Sequence, residues 1–67
     1  MINADERKIL EVIGEKLLIR PEELQSLNGS VDKASMLKLQ EMGLIQIINA
    51  GYTCYTITKK GMKALKE

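Results

Sequence analysis

The sequence predicts a small α+β domain, mostly helical, in which three helices lead into a two-stranded hairpin and a short last helix. Three observations carry this reading. Apolar residues recur at three- and four-residue steps in the first half of the chain. Asn, Pro and Gly stand where helices start and stop. Two short runs rich in β-branched residues and tyrosine, "LIQII" and "YTCYTIT", flank a break that contains glycine, which is the signature of a hairpin.

The first helix opens at Asn3, with Glu6 three residues on. That is the spacing of a capping box, in which each side chain satisfies the other residue's backbone N–H. Ile9, Leu10, Ile13 and Leu17 then fall on one side, and Gly14 among them marks a point of close packing. The second helix starts at Pro21, whose fixed φ suits a first turn. Glu22 and Glu23 follow, where the helix dipole favours acids. Leu24 and Leu27 give it an apolar side, and Asn28-Gly29 ends it. Ser30 is placed to cap a third helix running to about Met42, where Gly43 supplies the left-handed residue that closes it. Two helices joined by a tight Asn-Gly-Ser turn form a helix-turn-helix outline. Thr58 caps the last helix, "KKGMKALKE", which Met62 and Leu65 dock.

Length and composition set limits. Sixty-seven residues make one domain, residues 1–67, that buries only about 60% of the surface its unfolded chain exposes. Nine Leu, eight Ile and two Val against two Tyr, no Phe and no Trp call for an aliphatic core with methionine filling gaps. With one cysteine, Cys54, and no histidine, neither an internal disulfide nor a zinc site is expected. Cys54 reads as a small buried or half-buried hydrophobe. No apolar run is long enough for a membrane span, so the expectation is a cytoplasmic protein without a membrane partner.

Catalysis is not expected, and no cofactor is implied. The chain has no phosphate-binding glycine loop, no Cys-Cys or Cys-His pair and no hydrolase serine motif. The carboxylate pairs Asp5-Glu6 and Glu22-Glu23 both stand at helix starts, where the dipole accounts for them.

Charge is distributed unevenly. The net charge is +1, yet positions 1–29 carry six acids and four bases, while positions 30–67 carry three acids and six lysines. The hairpin lies in the basic half. Such asymmetry points to an anionic partner, although a solvated lysine face on the last helix would look the same.

The combination "LKLQEMGLIQII…GYTCYTITKKGMKAL" resembles the winged helix-turn-helix domains of bacterial and archaeal transcription regulators. The resemblance rests on Leu39, Gly43, Leu44 and Ile45, then Ile57, Thr58 and Gly61, and spans roughly residues 5–66. It implies three helices, a two-stranded hairpin wing and a short C-terminal helix. It also implies double-stranded DNA as partner, with the third helix in the major groove and the wing on the phosphate backbone, in a protein acting as a homodimer. At about 100° per residue, Ser35, Met36, Leu39 and Met42 share one side of the third helix. Lys33, Ala34, Leu37, Gln40 and Glu41 share the other, with Lys38 at its edge. The resemblance then assigns DNA contact to Ser30, Lys33, Ala34, Leu37, Lys38 and Gln40, to Asn49 at the wing tip, and to Lys59 and Lys60 at the wing's base.

Two departures from that pattern keep a second reading open. The expected reading face holds no arginine and includes Glu41, and the "NAG" tip carries no cation, whereas strong base readout uses Arg, Asn or Gln. The alternative is an interaction module that docks on another protein. Leu37 is the test residue, with three roles open to it: packing sideways on the wing or second helix, touching a thymine methyl, or joining a protein interface. Tyr52 and Tyr55, three apart on one expected strand, should point to opposite faces, one toward the core and one toward solvent.

Overall fold

The computed structural model describes residues 2–29 and 31–66. Helices α1 (Ala4–Lys16), α2 (Pro21–Asn28), α3 (Lys33–Glu41) and α4 (Lys59–Lys66) combine with strands β1 (Leu18–Ile19), β2 (Ile45–Asn49) and β3 (Thr53–Ile57). The three strands form one antiparallel sheet in the order β1-β3-β2. The class is α+β and mostly helical, as the sequence predicts, but the sheet has three strands where a two-stranded hairpin is expected.

The extra strand begins with a departure at Leu17. Periodicity places Leu17 on the apolar side of the first helix. Instead it caps α1 with φ +67° and ψ −38°, its N–H donating to the Ile13 carbonyl at 2.9 Å. It is 58% exposed. Positive φ at a branched residue is strained, and here it turns the chain out of the helix so that Leu18 and Ile19 pair with Thr56 and Tyr55. The Thr56 hydroxyl donates to the Leu17 carbonyl at 2.7 Å and holds the bend. Ile19, delivered to the sheet's inner side, is 1% exposed.

The capping box forms as expected: the Asn3 N–H donates to Glu6 Oε1 at 2.9 Å and the Glu6 N–H to Asn3 Oδ1 at 2.8 Å. Pro21 opens α2, and Gly29 closes it at φ +81°. Leu24 is buried, but Leu27 is 54% exposed, so one leucine rather than two anchors this short helix. The start of α3 also differs. The helix begins at Lys33, and its cap is Asp32, whose Oδ1 accepts the Ala34 N–H at 3.2 Å. Ser30, expected in that role, lies outside the described residues. Gly43 follows α3 at φ +75° as anticipated.

The core is aliphatic. Ile9, Leu10, Ile13, Ile19, Leu24, Leu39, Leu44 and Ile45 form one cluster with Met36, and Val12, Met42, Tyr55, Ile57 and Leu65 pack against it. Tyr55 faces this cluster, whereas Tyr52 is 57% exposed. Tyr52 does not lie on a strand but in the turn before β3. Cys54 is buried and free of any disulfide.

Thr58 and Gly61 fix α4. The Thr58 hydroxyl donates to the Gly43 carbonyl at 2.7 Å and accepts the Gly61 N–H at 3.0 Å. It therefore caps α4 and ties it to the end of α3. A Cβ on Gly61 would stand 2.2 Å from the Leu44 carbonyl oxygen, so the helix can lie this close to Leu44 only with glycine there. Met62, expected to dock the helix, is 45% exposed; Gly61 is buried, and Ala64 and Leu65 pack on the core. At the other end of α4, the Arg7 guanidinium donates to the Ala64 and Leu65 carbonyls at 3.4 and 2.7 Å. A cation beside these last carbonyls suits the helix dipole.

Candidate nucleic-acid interface

Burial of Met36 and Leu39 sets the orientation of α3. The opposite side then faces solvent along its whole length: Lys33, Ala34, Leu37, Lys38, Gln40 and Glu41 are all exposed. The side chains grouped by the helical wheel are thus brought together on one open surface. Leu37 is 56% exposed, which removes the reading in which it packs sideways against the protein's own elements. It sits near the centre of this surface, one turn before Glu41.

Two features change the electrostatics of that surface. Lys38 Nζ lies 3.2 Å from Glu6 Oε1, and the Glu6 side chain is only 6% exposed. The Asn3 N–H donating to Glu6 holds its carboxyl below the ordinary value of 4.5; Lys38 acts in the same direction, while burial opposes both. A partnered Lys38 has less freedom to meet a phosphate than an unpaired lysine would. Asp32 is the second feature. It places a carboxylate at the N-terminus of α3 and occupies the Ala34 N–H, at a helix end that would otherwise favour an anion.

Ser30 lies outside the described residues, and the other predicted residues fall at the two ends of the hairpin. Lys59 and Lys60 are exposed at the start of α4, and the Lys60 side chain passes beside Gly43, at the C-terminal end of α3. Asn49 is at the far end of β2, its Oδ1 accepting the Thr53 hydroxyl at 3.0 Å. At about 3.4 Å per residue, β2 carries it roughly 13 Å from Ile45 at the start of the strand.

One residue of this surface escapes the sequence reading. The Arg20 guanidinium lies over the Tyr52 ring, 5.0 Å from its centroid. The hairpin turn, which has no cation of its own, therefore gains one from the segment between β1 and α2. The only signal in the sequence would have been the pairing of Leu18-Ile19 with β3, which sets Arg20 beside the turn.

Among the described residues, no group of three or more Cys, Asp and Glu side chains is placed to hold a metal ion, and no helix is long and apolar enough to cross a membrane. Comparison with protein-family models, with curated protein sequences and with solved structures gives no match in any of the three.

Proposed function

We propose that this chain is a small winged-helix DNA-binding protein, a transcription regulator acting as a homodimer, with α3 entering the major groove and the β2–β3 hairpin lying along the backbone. The observation that carries the reading is the open outer side of α3, flanked by cations at both ends: Lys33 at its start, and Lys60 beside its end, with Lys59 next to Lys60 at the start of α4. Arg20 adds a cation at the hairpin turn. The element order supports it too, since only four residues, 29–32, separate α2 from α3 and the hairpin follows directly.

Phosphate contacts position such a domain, and base contacts specify its site. On α3 only Gln40 has the bidentate geometry that reads adenine. Three to four cations on phosphates give a slope of log K against log salt of about −3 to −4. One copy therefore binds weakly, and two copies on adjacent half-sites bind usefully.

A second reading is favoured by Leu37. An exposed leucine beside Glu41, at the centre of the outer side of α3, suits a protein partner better than it suits a phosphate-lined groove. The deciding experiment is titration of a random-sequence duplex at two salt concentrations, with the mass of the free protein measured alongside. Salt-sensitive micromolar binding that Lys33→Glu weakens tenfold or more supports DNA. Absence of binding at low salt overturns that reading and moves the function to a protein docked on Leu37.

A further inference from the structure

Away from the outer side of α3, an open cleft of about 650 Å³ lies between the N-terminal part of α1, the end of α3 and α4. Its floor is apolar, built from Met42, Leu44 and Ala64, and its rim is basic, with Arg7, Lys60 and Lys63. No carboxylate stands among the described residues that line it. Small-molecule sites commonly measure about 300–1,000 Å³ and combine an apolar lining with a few polar groups; this cleft has that size and that division.

The chemistry of the rim selects the ligand. Arg7 is held by the Ala64 and Leu65 carbonyls, so it supplies fixed positive potential more than a mobile clamp. Lys60 and Lys63 are exposed, with long flexible stems that let their ammonium groups reach an anion at the cleft mouth. A neutral apolar molecule would leave that potential unanswered. A bare anion would leave the apolar floor wet. We infer that the cleft binds a soluble amphipathic carboxylate, its aliphatic or aromatic body on Met42, Leu44 and Ala64 and its headgroup between Lys60 and Lys63. The site does not depend on DNA binding. It does share Lys60 with the surface proposed for DNA, so a bound carboxylate would compete for that cation.

The test is titration of the full chain with decanoate below its micelle concentration, followed by amide and methyl NMR shifts. Octanoate, decanol and acetate serve as comparison probes, with vesicles of an anionic phospholipid in a separate arm. The expected result is saturable shifts clustered on Met42, Leu44 and Ala64, with decanoate binding about tenfold more tightly than octanoate. The double variant K60E/K63E, altering exposed residues, should weaken decanoate at least tenfold. Ala64→Met, which fills the floor, should abolish binding, with native spectra of both variants showing that each still folds. Equal binding of decanol, equal binding of acetate, shifts located elsewhere, or binding to vesicles without uptake of monomeric decanoate would each overturn the proposal.

Discussion

Lys38 Nζ sits 3.2 Å from Glu6 Oε1, joining the outer side of α3 to the first turn of α1. Glu6 is also half of the capping box that starts α1. One carboxylate thus caps the start of a helix, holds a lysine and sits nearly out of water. The helix proposed to read DNA is anchored at that lysine.

This anchoring separates two substitutions that look equivalent in the sequence. Lys38→Glu sets a carboxylate against Glu6 and should lower the thermal midpoint as well as any DNA affinity. Lys33→Glu alters an exposed residue at the helix start and should leave the midpoint nearly unchanged, since surface changes of this kind stay within about 0.5 kcal/mol. Thermal melts of both variants check this. Equal midpoints for the two would mean that the ion pair contributes nothing.

Glu6 also sets an acid limit on stability. Its carboxyl titrates below 4.5 in the folded chain, so the folded state favours the ionised form. The contribution is fully present above the unfolded-state value and is lost as pH falls through the lower folded-state value. Denaturant midpoints measured from pH 6 down to pH 3 should fall most below about pH 4.5, and Glu6→Gln should flatten that decline.

Two glycines give different outcomes on substitution by alanine. At Gly61 the new Cβ meets the Leu44 carbonyl oxygen, a backbone atom that cannot yield; the cost should be about 3 kcal/mol or more. At Gly14 it meets only the ends of the Ile57 and Leu65 side chains, at 3.0 and 3.2 Å. There a gain of about 1 kcal/mol in helix propensity offsets the crowding, leaving Gly14→Ala close to neutral. Urea titrations of both variants distinguish the cases.

Leu37 and Leu39, two positions apart on α3, separate surface from core. Leu37→Asp should leave stability within about 0.5 kcal/mol, because the leucine is already in solvent. Leu39, fully buried, should lose about 2–5 kcal/mol on truncation to alanine. Circular dichroism melts test both. If a protein partner uses α3, Leu37→Asp breaks that complex without unfolding the chain.

Much of the local structure was legible. The Asn3–Glu6 box, Pro21, Gly29, Gly43 and the Thr58 cap are each set by residues within four positions of one another, and each forms where the sequence implied. The faces of α3 followed from its periodicity. Less legible were the places where a residue acts without its usual signal. Leu17 takes the positive φ that glycine normally supplies, Asp32 caps α3 where Ser30 was expected, and Leu27 and Met62 have apolar side chains but stay exposed.

The sequence by itself determined the helices, most of their caps, the hairpin and the aliphatic core, because periodicity, capping and turn chemistry act over a few residues. Only the tertiary structure decided the partners of residues far apart in the chain: Leu18 with Thr56, Arg20 with Tyr52, Lys38 with Glu6, and Gly61 against Leu44. Those depend on where a bend at Leu17 and the seating of α4 carry whole elements. Such geometry is set by packing among segments that are remote in sequence, and no short window of the sequence contains it.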